Sequence, residues 1–368
     1  MALGWRLSPL LLLSLPLFPT GLRLLWLLNL PSPYLTPDEI IYPQAGRAYL
    51  GSIMAGNLAG FKLNAEHPPL AKLILGLLLL MVDHQLSDIV VLRLLCAVFS
   101  SLTCVVLWFH LKRYGNGVAL LGWLLLSTDL LSIRYSVALL DVVATTFLTL
   151  SMYLALSEHS NSPSKSAMLG VVSGLAVLSK YSALPILAGV CLLNRLVRQR
   201  TETTWNSIIT LSCALVVVLV GNPMLWPPAL LGYHGLEILL SSSSVYSTGP
   251  GIMFIFDWLG PLLEPVNQGL TGFYLSMFVF HLSIFPFRLF SESIVPWLLL
   301  ACLCHRLKKR EPLSHLQRSQ IPWLLSCILF FWLLEKSRIE TYYMVMMGPS
   351  MTVLTALMLP LPKQGKPC

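Results

Sequence analysis

Charge is what this sequence is short of. Only 11% of its 368 residues are Asp, Glu, Lys or Arg, whereas a soluble domain carries about 25%. Hydrophobic residues make up 56%, and the mean hydropathy is +0.75. That balance excludes an ordinary soluble globule and describes a polytopic, all-α membrane protein. Net charge is +8, yet no basic stripe interleaved with aromatics runs along the chain. The Lys and Arg instead fall in short clusters between apolar runs, where topology determinants belong, so no nucleic-acid partner is expected. A cysteine framework is missing too. Cys96, Cys104, Cys191, Cys213, Cys302, Cys304 and Cys327 lie in or beside apolar runs and Cys368 in the tail, without disulfide or zinc spacing. No metal or cofactor is expected. Internal repeats and a soluble appendage are also lacking, so residues 1–368 read as one membrane domain.

The first apolar run, about Leu7 to Leu30, follows Arg6 and has no small-residue cleavage site. It predicts an uncleaved anchor with its N-terminus inside, made irregular by Pro9, Pro16, Pro19 and Arg23. Residues 31–88 then form a first outer loop. Within it Leu70–Val82 is apolar but short of the roughly twenty residues a crossing needs. Further runs lie at about Ile89–Leu111, Val118–Ile133, Asp141–Ser157, Ala167–Ser179, Ser182–Val197, Ile208–Asn222, Ile321–Leu334 and Tyr342–Leu359. If Leu70–Val82 does not cross, the clusters at Lys112-Arg113, at Arg195, Arg198 and Arg200, and at Arg306–Arg310 all face inward. If it crosses, the first two clusters move outside. Leu70–Val82 is therefore predicted to be a juxtamembrane helix in the outer interface. With a long outer loop at 223–271 and one net crossing within 272–304, the bundle has about ten crossings and both termini inside.

Against this background a few polar residues stand out. Asp38 and Glu39 follow Pro37 and precede a helical stretch around Gln44–Leu50. A carboxylate there is either a helix cap and dipole partner or, beside a second acid, a general base with a raised pKa. Glu66-His67-Pro68-Pro69-Leu70-Ala71-Lys72 sets two ionisable groups before a rigid break and a Lys one turn into the next helix. Lys72 either snorkels to the headgroups or holds a lipid-borne phosphate. Asp141 opens one apolar run and Lys180 closes another, both toward the outer side, and Arg134 could pair with Asp141. Lys336 and Arg338 precede Tyr342-Tyr343 in the last outer loop, against the positive-inside trend. They either balance Glu335 and Glu340 or meet an anionic ligand. His234 and His281 stand alone and read as core or interfacial histidines.

Taken together, these residues resemble the protein O-mannosyltransferases and related lipid-phosphate-sugar glycosyltransferases of the GT-C class. His67-Pro68-Pro69-Leu70-Ala71-Lys72 is the specific element, with Asp38-Glu39, Leu139-Leu140-Asp141, Leu178-Ser179-Lys180-Tyr181 and Lys336-x-Arg338 before Tyr342-Tyr343 in agreement. The likeness covers about residues 30 to 360. One departure is that the Arg usual in the family five residues before Asp141 is replaced by Ser136, with Arg134 two residues earlier. The extra soluble lumenal repeats of eukaryotic members have no counterpart, which suits a prokaryotic chain in the plasma membrane.

The resemblance implies a GT-C bundle whose first outer loop, with its juxtamembrane helices, carries the catalytic acid. It implies inverting transfer of a mannose-like sugar from a polyprenyl-phosphate donor to the hydroxyl of a protein, glycan or lipid acceptor at the outer face. Asp38, with Glu39, would supply the base; Glu66, His67, Lys72, Asp141, Lys180, Lys336 and Arg338 would bind substrate and the departing phosphate. Such a phosphate, met by Lys and Arg, demands no metal. A transporter or lipid flippase accounts for the spans equally well, but predicts inverted repeats around a midplane site. Neither repeat nor midplane charge cluster is evident in the sequence.

Overall fold

A computed structural model describes residues 9–30, 38–65, 67–82, 85–137, 139–156, 162–198, 204–227, 234, 290–291, 293–334 and 346–359. In chain order its α-helices are α1 (Pro9–Leu28), α2 (Asp38–Met54), α3 (Leu70–Val82), α4 (Asp88–Lys112), α5 (Asn116–Thr128), α6 (Leu130–Arg134), α7 (Leu139–Ala155), α8 (Pro163–Ser179), α9 (Ala183–Arg198), α10 (Thr204–Gly221), α11 (Val295–Lys309), α12 (His315–Leu334) and α13 (Gly348–Met358). Short 3-10 turns occupy Ala59–Lys62, Tyr135–Val137 and Pro223–Leu225, and no strand occurs among the described residues.

α4 is the spine. Ser87 caps it by accepting from the Val90 N–H at 3.4 Å, and Asp88 in the first turn and Lys112 in the last suit the helix dipole. Its buried face, including Leu92, Cys96, Leu107, Trp108 and Leu111, receives α1, α5 and α7. α8 then packs on α7, and α10 on α8; α9 lies on α12, and α13 between α5 and α11. Trp108 and Trp123 meet edge to face in the largest core cluster, with ring centroids 6.4 Å apart.

Prolines inside α1 show how an apolar bundle handles a lost backbone donor. Pro19 has no N–H to offer the Leu15 carbonyl, and the Trp123 indole of α5 donates to that oxygen instead, at 3.1 Å. α3 spans the 13 residues expected, too few to cross a bilayer, and lies on α2. Their backbones touch at Gly46 and Gly76: a Cβ on Gly76 would come 2.2 Å from the Gly46 carbonyl oxygen.

Two expectations meet the structure differently. The run at Val118–Ile133 is not one helix: it bends by 51° between Asn116–Thr128 and Leu130–Val137. By length and apolarity, Asp88–Lys112 qualifies alone as a membrane crossing and that bent pair as a second. Helices such as Leu139–Ala155 and Trp205–Gly221 are apolar but shorter. The expected number of about ten crossings is thus not reached by this criterion among the described residues. Most of 223–289 falls outside them.

Candidate active site

The His-Pro-Pro segment sets the entrance of α3. Proline disfavours a helical conformation in the residue before it, so Pro68 and Pro69 hold the approach extended; the first helical bond then runs from the Leu73 N–H to the Pro69 carbonyl, at 2.8 Å. Lys72 points back toward that entrance. Its ammonium donates to the Asn64 carbonyl (2.7 Å), the Asn64 side-chain oxygen (3.0 Å) and the His67 carbonyl (2.8 Å). An ammonium has three N–H donors, and three acceptors surround this one in a fully buried position, 0% exposed. Asn64 reaches it from the left-handed region (φ 56°), which Asn tolerates better than most residues. The cradle is walled by Tyr49, whose ring centre lies 5.0 Å from the Lys72 nitrogen and which stacks on Phe61 at 4.4 Å. The Tyr49 hydroxyl donates to the Leu63 carbonyl at 2.8 Å.

His67 stands edge-on to Tyr42, with centroids 6.2 Å apart. Burial, then the charges of Lys72 and Lys180, hold its imidazole well below the usual histidine range. It is therefore neutral at pH 7, with one ring nitrogen to donate and one to accept. α3, which follows His67, packs against α8, whose end carries Lys180.

Lys180 closes α8, its backbone N–H bonded to Ala176, and its ammonium donates to Asp141 Oδ1 at 2.6 Å. Both side chains are buried. Asp141 lies in the first turn of α7, where the dipole favours a carboxylate. Arg134, the other cation considered for Asp141, is exposed and lies over the Tyr135 ring at 5.5 Å. Beside Lys180, the Tyr181 hydroxyl accepts from Asn222 at 2.7 Å. Burial pushes Tyr181 up to about 12, so it remains a phenol. Asn222 in turn caps the Pro223–Leu225 turn through the Met224 N–H.

Glu39 is buried in a two-pronged ion pair with Arg93 of α4, at 2.9 and 3.2 Å. The same guanidinium donates to the carbonyls of Leu27 and Leu30 at 2.8 and 3.0 Å, closing the end of α1. Glu39 and Arg93 are 2% and 3% exposed. Arg93 was missed in the sequence, although a lone Arg inside the run Ile89–Leu111 is itself a signal. Asp38 opens α2 at its N-terminus. Its side chain, and Glu66, Lys336 and Arg338, lie outside the described residues. Among those described, no three His, Cys, Asp or Glu gather as a metal site.

The bundle has the fold of the GT-C membrane glycosyltransferases. It is similar to ArnT from Cupriavidus metallidurans bound to undecaprenyl phosphate, with TM-score 0.59 and 17% identity over 93% of this chain and 59% of that one. The apo form of ArnT gives 0.58 and 18%. The oligosaccharyltransferase of Archaeoglobus fulgidus, in complex with Zn and sulfate, gives 0.51 and 14%, over 94% of this chain and 48% of that one. The chain thus spans about three fifths or less of the length of these structures. The resemblance to a mannosyltransferase family is also found in sequence: the family model described as dolichyl-phosphate-mannose-protein mannosyltransferase matches residues 66–226. That stretch contains Glu66, His67, Lys72, Asp141 and Lys180. No curated protein matches the sequence significantly.

Proposed function

We propose that this chain is a multi-pass membrane enzyme, an inverting glycosyltransferase that moves a mannose-like sugar from a polyprenyl-phosphate donor to an acceptor hydroxyl. The acceptor belongs to a protein, a glycan or a lipid, and transfer takes place at the outer face of the plasma membrane. One observation carries the reading: Lys180 at the end of α8 pairs with Asp141 of α7, and α8 packs on α3, which carries Lys72, all within the stretch that the mannosyltransferase family model matches. Residues 31–88 act as the first outer loop, 223–271 as a second, and the chain as a single catalytic domain.

On this reading Asp38 takes the proton of the acceptor hydroxyl as its oxygen bonds to the anomeric carbon. The bond from that carbon to the phosphate oxygen breaks on the opposite side, which inverts the centre, and the lipid phosphate leaves with added charge. Lys180, held by Asp141, is the described cation assigned to that charge; Lys336 and Arg338 are the others. Glu39 and Lys72 act through others. Glu39 fixes the start of α2 on Arg93, and Lys72 fixes the His67 loop through the Asn64 and His67 carbonyls. His67, neutral, and Glu66 offer hydrogen bonds to a sugar or acceptor hydroxyl.

The test is transfer by purified protein from a panel of polyprenyl-phosphate sugars, with mass analysis of peptide, glycan and lipid acceptors. Transfer from a mannosyl donor, reduced at low donor concentration in Lys180→Gln, is the expected result. Transport of the lipid across vesicles without any transferred sugar would replace the enzyme with a flippase.

A further inference from the structure

The bend at Asp129 has neither Pro nor Gly to cause it: the local sequence is Ser127-Thr128-Asp129-Leu130. A break inside an apolar bundle frees carbonyls at the end of one helix and N–H groups at the start of the next, and each of these needs a partner. Charged side chains meet both. Asp129 caps α6, its Oδ2 accepting from the Ser132 N–H and hydroxyl at 3.0 Å each. Arg23, from α1, donates to the Ser127 and Leu126 carbonyls of α5, both at 3.3 Å. The guanidinium also donates to the Pro19 carbonyl (3.1 Å), the Ser100 hydroxyl and the Cys104 sulfur (3.6 Å). It is 1% exposed, and such a desolvated charge is costly unless every donor is used.

The same turn of α4 also receives α7. Thr146 meets the Thr103 hydroxyl and the Phe99 carbonyl, each at 2.9 Å, next to the Ser100 and Cys104 contacts of Arg23. Between the break and α7 runs only α6 and the Tyr135–Val137 turn, whose Val137 carbonyl accepts from Cys96 of α4 at 3.6 Å. The geometry points to Arg23 as a positioning residue: it holds the α5–α6 break and so fixes where α7 presents Asp141 to Lys180. What that pair does in transfer rests on the function proposed above; where it sits does not.

Two readouts separate these claims. Spin labels at Leu130 of α6 and Val171 of α8, both exposed, report the break by electron-resonance distances in lipid nanodiscs. Arg23→Met should shift or broaden that distance distribution, and Arg23→Lys should keep it near wild type; a superimposable Arg23→Met distribution overturns the proposal. In transfer assays with a polyprenyl-phosphate mannose, Arg23→Met should lower kcat/KM for the donor, per folded molecule, by roughly tenfold or more, since a misplacement of about 1 Å far from the chemistry costs up to ~10²-fold. Arg23→Lys should restore it. An unchanged kcat/KM per folded molecule, with any loss of activity accounted for by fewer folded molecules, also overturns the positioning role. If Arg23→Met does not insert, Arg23→Gln, which keeps two N–H donors, is judged by the same criteria. If the wild type transfers no sugar, the proposed function fails, while the label distances still decide the role of Arg23.

Discussion

Adding a single methyl group at Gly46 tests whether the α2–α3 crossing sets the candidate site. A Cβ there would lie 2.6 Å from the Lys72 carbonyl oxygen and 2.9 Å from the Gly76 nitrogen. On Gly76 it would lie 2.2 Å from the Gly46 oxygen and 2.6 Å from the Gly46 carbon. Ordinary contact begins at 3.4 Å, so the shortfalls are about 0.8 Å and 1.2 Å. Every obstacle is backbone, and none can rotate away, so the two helices must part by about that much. Overpacking of this kind costs about 1–3 kcal/mol, and replacing Gly by Ala in a helix returns about 0.5–1 kcal/mol. Gly46→Ala should therefore lose about 1–2 kcal/mol of stability, and Gly76→Ala more. The larger effect is on chemistry. The displaced strut carries Lys72 and, through it, the His67 carbonyl, and a shift near 1 Å is enough to lower transfer by up to about 10²-fold. Gly51, on the same helix α2, has nothing within 4 Å of an added Cβ. Gly51→Ala should match or slightly exceed wild type in stability and keep full transfer. The assays are thermal unfolding of the purified protein and transfer rate per folded molecule. Equal behaviour of Gly46→Ala and Gly51→Ala in both would refute the crossing as the element that places the site.

Other perturbations reach the remaining parts of the cluster. Asp141→Asn leaves the Lys180 ammonium buried without its carboxylate, a change that costs about 3–5 kcal/mol; the double variant with Lys180→Met should recover part of it, and additive losses in a double-mutant cycle would deny the coupling. His67 is held neutral, its pKa below the unfolded value of 6.5, so from that pH downward the unfolded chain binds the proton first. Stability should therefore fall as the pH drops below about 6.5, and His67→Gln should flatten that fall in pH-dependent unfolding; parallel curves would remove His67 as the cause. Asp38→Asn should lower transfer by about 10²–10⁴-fold with folding intact, as for loss of a general base. Glu39→Gln, by contrast, strands Arg93 and should act first on unfolding temperature; the reverse pattern in the two variants would exchange their roles.

Much of the helical layout was legible because apolar runs and their boundaries are local. Leu70–Val82 forms over the residues its hydrophobicity marked, and Asp141 and Lys180 sit at helix ends as read. The partners of the charges were not legible. Asp141 was weighed against Arg134, close in sequence, but its partner comes from α8, because helices packing side by side join residues that the sequence separates. Lys72 was read as a snorkelling or phosphate-binding cation. Its cradle depends on the left-handed turn at Asn64 and on a carbonyl of the His-Pro-Pro entrance, and neither follows from residue type. The break at Asp129 was hidden because it lacks Pro or Gly and lies inside a long apolar run; the short polar cluster Ser127-Thr128-Asp129 was its sign.

The Lys72 cradle and the Asp129 break share one physical origin, the demand that backbone groups be satisfied inside an apolar bundle. The Leu15 carbonyl, left without a partner by Pro19, takes the Trp123 indole; the end of α1 takes Arg93; the end of α5 takes Arg23. In each case a long side chain from another helix supplies the donor that the helix itself lacks. Arg93 then has a second task, because its guanidinium faces Glu39 and so ties the end of α1 to the start of α2, where Asp38 lies. A cation used this way does not act at the membrane surface, and its position inside an apolar run says little about ligand binding. Among the described residues the charge left for substrate is Lys180 at the α8 end, which is why the proposed stabilisation of the leaving phosphate is assigned there and not to the arginines of the core.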